Sequence, residues 1–162
     1  MGEHPPLVLA TRNPHKLAEF RRLLEPVGIA IEPLPVGVEL PPEDGDTFAE
    51  NALPKAFTTA SRTGRPAIAD DSGIEAEALE GGPGVRSARY AGEHASDEEN
   101  LEKLILEAPA GSGLRYVCAL AYVDPRRGQE QVFFGECRGQ LAEQRRGTRG
   151  FGYDPVFVPA QD

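Results

Sequence analysis

The sequence predicts an α/β fold with a mixed β-sheet flanked by helices, and three observations favour this class. The short apolar run at residues 6–10 is typical of a buried strand in a mainly parallel sheet. Large apolar residues recur at helical spacing after a short polar interruption at residues 11–16. Residues 114–124 and 130–139 flank a turn and indicate a long β-hairpin. This order of elements predicts two lobes with a central substrate cleft.

The first helix is predicted over residues 14–25, because apolar side chains return every three or four positions. Asn13 can cap this helix, and Pro14 suits its first turn. A short strand is expected near residues 29–32, followed by a long loop rich in proline, glycine and acids. The predicted apolar face of the helix consists of Leu17, Phe20, Leu23 and Leu24.

A second helix is predicted to begin after Thr47, which forms the pattern of a capping box with Glu50. Pro54 conflicts with this helix, since an interior proline costs about 3 kcal/mol, and we expect a kink there. Gly64 ends the helix, and residues 66–69 form the next buried strand. The predicted apolar face consists of Phe48, Ala52, Ala56, Phe57 and Ala60.

The rest of the chain adds one helix and a closing strand. Ser96 and Glu99 form a second capping-box pattern, which predicts a helix over residues 97–107 after a turn-rich connection. A glycine-rich turn and a short apolar strand close the chain. Because no internal repeat or linker is visible, we predict a single domain over residues 1–162.

The charge of the chain restricts its partners. The formal net charge is −9, and such a protein is repelled by polyphosphate backbones, so we expect no nucleic-acid partner. No apolar run approaches the roughly 20 residues that span a bilayer, so we expect no membrane partner. No basic leader precedes a long apolar stretch, which predicts a cytoplasmic protein.

Two adjacent carboxylates, Asp70 and Asp71, follow a buried strand and precede a predicted Ser72-Gly73 turn. Neighbouring carboxylates repel unless a cation lies between them or one is protonated. Glu43 lies in a second acidic segment, before the second helix. Carboxylates without histidine or cysteine favour hard cations, so Mg²⁺ is predicted first and Mn²⁺ next. The alternative is that the aspartates are turn or capping residues.

Basic and hydroxyl side chains could bind phosphate near these acids. Lys16 lies at the predicted N-terminus of the first helix, where free N–H groups favour anions. Lys55 is the lysine of a largely apolar helix, on the same polar face as Asn51. The alternatives are a capped surface helix at Lys16 and a snorkelling side chain at Lys55. Tyr153 of the closing turn could lie against a base or belong to the core.

Four segments, read in order, resemble the inosine/xanthosine triphosphate pyrophosphatase family. They are "LATRNPHKLAEF", "TFAENALPKA", "PAIADDSGIEAEALEGGPGVRSARYAG" and "GFGYDPVF". The resemblance covers nearly the whole chain and implies a two-lobed α/β fold with an elongated mixed sheet, usually a homodimer. It also implies Mg²⁺-dependent hydrolysis of ITP, dITP and XTP to the monophosphate and pyrophosphate.

The resemblance also assigns roles by position. Asp71 would be a metal ligand and proton acceptor supported by Asp70, and Glu43 would be the second metal ligand. Ser72 would contact the substrate, and Lys55 would face its phosphates. The phosphate loop would consist of Thr11, Arg12, Asn13, Pro14, His15 and Lys16. The turn beside the base would consist of Phe151, Gly152, Tyr153 and Asp154.

This chain departs from the family pattern at two places. Family members normally continue into a segment with a lysine and a Ser-His-Arg group that grips the base, whereas this chain ends at Asp162. The chain is therefore incomplete or its base discrimination is impaired, and a nucleotide-binding module without turnover is the alternative function. Pro54 beside Lys55, and Arg149 where glycine is usual, are the second departure. A related family acting on modified pyrimidine or methylated nucleotides matches these motifs less well.

Overall fold

The computed structural model describes residues 4–145 and 152–160, and within them an α/β arrangement is confirmed. The nine main elements are β1 (Leu7–Leu9), α1 (Pro14–Leu24), β2 (Ile31–Glu32), α2 (Phe48–Thr63), β3 (Ala67–Ala76), α3 (Asp97–Glu107), β4 (Gly113–Asp124), β5 (Gln129–Leu141) and β6 (Phe157–Pro159). Short 3-10 turns cover Glu25–Val27, Glu77–Leu79, Gly84–Arg89 and Asp154–Val156.

The six strands form one mixed sheet in the order β2-β1-β3-β4-β5-β6. β1 pairs in parallel with β2 and with β3, and its register places Leu9 beside Ile68. β6 pairs antiparallel with β5. β4 and β5 are neighbours joined by the turn at residues 125–128, which confirms the predicted hairpin. The mixed sheet predicted from the sequence is therefore present.

The described residues divide into two compact units, and β3, β4 and β5 contribute to both. The first unit contains the described residues up to Asp71 together with Ala119–Phe133. The second contains Ser72–Cys118 together with the described residues from Phe134 onward. The predicted substrate cleft and the predicted single domain remain predictions.

Helix α1 begins as the sequence predicts. Asn13 is its N-cap and accepts a hydrogen bond from the His15 N–H, and Pro14 occupies the first helical position. Its last turn gives way to the 3-10 turn ending at Gly28, whose φ of +88° suits a residue without Cβ. Leu23, predicted on the apolar face, is instead 52% exposed.

Helix α2 confirms one half of its predicted capping box. Thr47 accepts a hydrogen bond from the Glu50 N–H at 3.1 Å. The Glu50 carboxylate accepts instead from the Asp46 N–H, which ties the helix to the acidic loop before it. Pro54 lies inside the helix at an exposed position, where its ring meets solvent, and the kink remains a prediction. At Ser96 and Glu99, before α3, the complete capping box is present.

The predicted Ser72-Gly73 turn is wrong, because β3 continues through the two aspartates to Ala76. Ser-Gly is a common turn pair, but β3 is ten residues long and is hydrogen-bonded to β4 as well as to the short β1. Asp70 and Asp71 therefore lie within a strand, and their side chains point to opposite faces.

Each unit has its own apolar core. In the first unit Leu9, Ile31 and Ile68 form the buried centre, and α1 packs against it through Leu17 and Phe20. In the second unit the buried cluster consists of Ile74, Ala76, Leu101, Leu104, Ala108, Leu114, Leu141, Tyr153 and Val156. Within the part of the chain that is described, no helix combines the length and apolar character needed to cross a membrane.

The second core predicts unequal costs for two leucines of α3. Leu104 is fully buried and Leu106 is 85% exposed, so the same deletion creates a cavity at only one of them. We expect Leu104→Ala to lower the free energy of unfolding by roughly 2–5 kcal/mol and Leu106→Ala by less than about 0.5 kcal/mol. Urea denaturation of both variants measures the difference, and equal losses would contradict this assignment of the core.

Candidate active site

The parallel pairing of β1 and β3 places two sequence motifs side by side. The Ala10 N–H donates to the Ile68 carbonyl at 2.8 Å, so the chain leaving β1 lies beside Asp70. The loop from Thr11 to Asn13 then turns into α1. The Thr11 hydroxyl accepts from the Asn13 N–H at 3.1 Å, which fixes this turn. The start of α1, which follows the carboxyl end of β1, therefore lies close to the aspartates of β3.

Lys16, in the first turn of α1, reaches the first of the two aspartates. Its ammonium lies 3.1 Å from both carboxylate oxygens of Asp70. Asp70 is 6% exposed, so the pair is largely withdrawn from water. A charge placed there needs a partner, since an unpaired buried carboxylate is costly. Lys16 supplies that partner across 54 positions of sequence.

Lys55, on α2, connects the acidic loop with β3. Its ammonium donates to the Glu43 carboxylate at 2.5 Å and to the Asp70 backbone carbonyl at 2.7 Å. The residue is 5% exposed, which excludes the snorkelling alternative at this position. Glu43 is thereby held close to the two aspartates, as its predicted role requires.

Asn51 lies one turn before Lys55 and contacts the second aspartate. Its amide nitrogen donates to Asp71 Oδ2 at 2.9 Å, and its amide oxygen accepts from the Gly45 N–H at 2.7 Å. Both Asn51 and Asp71 are buried. The sequence alone marks Asn51 only as a neighbour of Lys55 on one polar face. The available signal was a polar pair four positions apart on a helix face that is otherwise rich in alanine.

Burial and neighbouring charges shift the protonation of Asp71. Burial raises the pKa of its carboxyl group, and the hydrogen bond from Asn51 lowers it. The charge of Glu43 raises the pKa further, whereas Lys55 and Lys16 lower it, and the net shift is upward. The neighbouring like charge that acts on Asp71 is therefore that of Glu43, because Asp70 points to the other face of the strand.

Lys16 shows the complementary shift. Burial lowers the pKa of its ammonium, but Asp70 raises it through charge and a hydrogen bond, and Glu43 and Asp71 add to this. The net pKa is above the ordinary lysine value, so Lys16 remains a cation. The cluster thus contains three carboxylates and two ammonium groups, and the acids are in formal excess.

The other members of the predicted phosphate loop have local partners. Arg12 donates to the backbone carbonyls of Leu34, Pro35 and Val38 at 2.6 to 3.1 Å, which fixes the long loop after β2. His15 is exposed at the helix start. A phosphate contact through Arg12 would require these three hydrogen bonds to break, and its predicted role remains a prediction.

The residues predicted to lie near the substrate base belong to the second unit. Ser72 is exposed, and Tyr153 is buried in the core with its hydroxyl donating to the Ser87 carbonyl at 2.7 Å. Asp154 accepts from the Tyr116 hydroxyl at 2.8 Å, and Gly152 adopts a φ of +64°. Phe151 lies outside the described residues. The role of this turn in binding a base remains a prediction.

The donor set of the cluster fits a hard divalent cation. Among residues 4–145 and 152–160, no three His, Cys, Asp or Glu side chains form a group that would hold a metal by themselves. Mg²⁺ typically takes one or two protein carboxylates, and waters and substrate phosphates complete its shell. Asp71 and Glu43 offer such oxygens, so a cation would fit here together with a phosphorylated substrate.

Fold and cluster together define an α/β protein with a carboxylate-lysine site. Comparison of the chain with known sequences and structures gives its family. The sequence model of the Ham1 family matches residues 7–162. The chain therefore belongs to the Ham1 family. A dITP/XTP pyrophosphatase of Yersinia pestis is 47% identical over 163 residues, covering 95% of this chain and 82% of the relative. Its counterpart in Symbiobacterium thermophilum is 49% identical over 158 residues, covering 95% and 79%.

Solved structures agree with this membership. A HAM1 protein from Coxiella burnetii is 39% identical, with a TM-score of 0.81 over 95% of this chain and 81% of that one. A nucleoside-triphosphatase / dITP/XTP pyrophosphatase from Mycobacterium abscessus is 41% identical, with a TM-score of 0.76 over 96% and 84%. These matches confirm the predicted family and fold class.

The upward pKa shift of Asp71 predicts that its charge lowers stability. The native state binds the Asp71 proton more tightly than the unfolded chain, so this group makes the protein less stable as pH rises through the native pKa. We expect Asp71→Asn, which can still accept the Asn51 hydrogen bond, to be more stable than wild type at pH 7 without divalent cations.

Urea unfolding at pH 7 and at lower pH tests this sign. The advantage of Asp71→Asn should shrink as pH falls below the native pKa, where the wild-type carboxyl is already neutral. Asp124→Asn is the matched control, because Asp124 is also buried but accepts a hydrogen bond from the Arg126 N–H in the hairpin turn. If Asp71→Asn lowered the free energy of unfolding as much as Asp124→Asn does, the raised pKa of Asp71 would be contradicted.

Proposed function

We propose that this chain hydrolyses deaminated purine nucleoside triphosphates, namely ITP, dITP and XTP, to the monophosphate and pyrophosphate in a Mg²⁺-dependent reaction. The observation that carries this proposal is the cluster of Asp70, Asp71, Glu43, Lys16 and Lys55, in which the two aspartates and Lys55 are buried. Cleavage of an acid anhydride needs a water-activating carboxylate beside positive charge for the phosphates, and this cluster contains both. The names of the relatives support the substrate class.

Lys16 and Lys55 supply the positive charge in this proposal. Lys16 lies at the third position of α1, a helix with no acid in its first turn. A cation there adds to the positive end of the helix dipole, and in the free chain Asp70 offsets this charge. The triphosphate would replace carboxylates as the partner of these lysines, and the leaving pyrophosphate would keep that charge compensation.

Asp71 is the proposed proton acceptor. The hydrogen bond from Asn51 to Oδ2 orients its carboxylate, and a carboxylate fixed beside the attacking water can accept its proton. A water molecule that attacks the α-phosphorus would transfer a proton to Asp71 as the water oxygen bonds to phosphorus. The bond to the α,β-bridging oxygen breaks, and pyrophosphate leaves with that oxygen.

Asp71 and Glu43 would hold the Mg²⁺, and Mn²⁺ is the alternative ion. The cation would neutralise phosphate charge and lower the pKa of bound water. Glu43 would then exchange its contact with Lys55 for the metal, which releases Lys55 for a phosphate oxygen. Asp70 supports this arrangement by keeping Lys16 beside the site in the free chain, until the triphosphate becomes the partner of its ammonium.

Base recognition is proposed at Ser72 and the turn formed by Phe151, Gly152, Tyr153 and Asp154. Tyr153 anchors this turn through its buried ring, and Asp154 is an exposed acceptor at the surface. A deaminated purine carries a ring N–H that an acid can accept, where adenine has an unprotonated nitrogen. We therefore expect Asp154→Ala to reduce the preference for dITP over dATP by about tenfold or more.

Homodimer formation and a cytoplasmic location complete the proposal, without nucleic-acid or membrane partners. The acidic net charge supports the absence of nucleic-acid binding. Sedimentation measurements that return a monomer mass would contradict the dimer, and membrane-fraction recovery of the tagged protein in its own cells would contradict the location.

The proposed reaction predicts pyrophosphate release from dITP that requires Mg²⁺ and fails in Asp71→Asn. We expect kcat to fall by at least about 10³-fold, because both the base and a metal ligand are lost. Phosphate detection after coupling to an inorganic pyrophosphatase measures the rate for dITP, XTP, dTTP and ATP. Chelation should stop the reaction, and added Mg²⁺ should restore it.

Asp124→Asn is the control for this experiment, since Asp124 is buried in the hairpin turn and not in the cluster. Near wild-type turnover of Asp71→Asn would contradict the role of Asp71. Tight binding of ITP by calorimetry without product would favour the nucleotide-binding module instead, and preference for dTTP would favour the related pyrimidine-directed family.

A further inference from the structure

Asn51 makes two hydrogen bonds that join separate parts of the proposed site. Its amide nitrogen donates to Asp71 Oδ2 at 2.9 Å in β3, and its amide oxygen accepts from the Gly45 N–H at 2.7 Å. Only 2% of the residue is exposed. An amide is suited to this position because it offers one donor and one acceptor, whereas aspartate would place an acceptor against Asp71.

The contact on the loop side leaves no freedom for another residue at position 45. A Cβ on Gly45 would lie 2.8 Å from Asn51 Oδ1 and 2.7 Å from the Glu50 Cβ. The next residue, Asp46, donates its N–H to the Glu50 carboxylate at 2.8 Å. The acidic loop is therefore seated on the first turns of α2 by close contacts as well as hydrogen bonds.

The same helix face holds the other proposed metal ligand. Lys55, four positions after Asn51, donates to Glu43. Asn51 therefore orients Asp71 directly and fixes the segment that follows Glu43, whereas Lys55 holds Glu43 itself. Partners of this kind, which orient metal ligands without touching the metal, typically change metal affinity or activity 10- to 100-fold when altered.

We propose that Asn51 is a positioning residue for the reaction. Its side chain couples the acidic loop to Asp71 and sets the relative placement of Glu43 and Asp71 for a divalent cation. This inference rests on the proposed function for its kinetic consequences but makes a separate claim about cation binding. Nothing in the proposed chemistry requires Asn51 to touch substrate or the reacting atoms.

The test compares Asn51→Asp and Asn51→Ala with Asn100→Ala. Asn100 is also 2% exposed, and its side chain likewise makes two hydrogen bonds, with the Ala91 N–H and the Ala88 carbonyl. Mn²⁺ titration by calorimetry on the full chain, with an uncleavable α,β-imido analogue of dITP present, measures cation affinity without turnover. We expect about tenfold weaker Mn²⁺ binding in both Asn51 variants and less than a twofold change in Asn100→Ala.

Kinetics with dITP provide the second readout. At saturating Mg²⁺ we expect kcat of Asn51→Asp to fall roughly 10²-fold with KM for dITP changed less than about threefold, because orientation and not substrate binding is lost. Gly45→Ala disrupts the contact between the acidic loop and the Asn51 side chain from the loop side, and it should also weaken Mn²⁺ binding. Circular dichroism verifies that each variant is folded, and Gly45→Ala keeps the test valid if an Asn51 variant is not.

Three results would overturn the inference. They are unchanged Mn²⁺ affinity in the folded Asn51 and Gly45 variants, equal losses in Asn100→Ala, and no Mn²⁺ binding by the wild-type chain. Failure of the wild-type chain to release pyrophosphate from dITP would overturn the proposed function alone. Weakened Mn²⁺ binding in the Asn51 variants would still support the coupling in that case.

Discussion

The contact of Lys55 with Glu43 and with the Asp70 carbonyl is the interaction on which the site depends. It is formed by a lysine that is 5% exposed, and it connects the acidic loop, α2 and β3 to one another. Without it, Glu43 would belong to a solvated loop with no fixed relation to Asp71. The buried ammonium also explains why α2 carries a polar stripe between its alanines, since the helix packs through that stripe as well as through its apolar face.

Charge balance gives the site both its cost and its chemical capacity. Asp71 is buried with a like charge nearby, and two lysines only partly offset this, so its carboxyl holds a proton more tightly than usual. A preorganised site of this kind gives up stability in order to hold groups where developing charge will need them. A cation and a triphosphate would together relieve the excess of acid and give the lysines new partners. The same charges that disfavour the free protein would thus favour the complex.

Much of this arrangement follows from sequence patterns, and the exceptions have physical reasons. Caps and periodicity predict the helix boundaries. They do not predict which face of α2 is buried, because Phe57 is 52% exposed whereas Asn51 and Lys55 are buried. A local pattern cannot tell which neighbours a face will meet. The apparent Ser72-Gly73 turn failed for the same reason, since pairing with β4 overrode the local preference. The role of Asn51 depends on contacts 6 and 20 positions away, which no spacing reveals.

The carboxylates and lysines of this cluster are proposed to receive a metal-bound triphosphate. A crystal structure of the chain with Mg²⁺ and an α,β-imido analogue of dITP, which cannot be cleaved at that bond, tests this proposal most directly. We expect a cation bound by Asp71 and Glu43, with the ammonium groups of Lys16 and Lys55 on phosphate oxygens. An analogue bound at another surface, with both lysines still on Asp70 and Glu43, would contradict it.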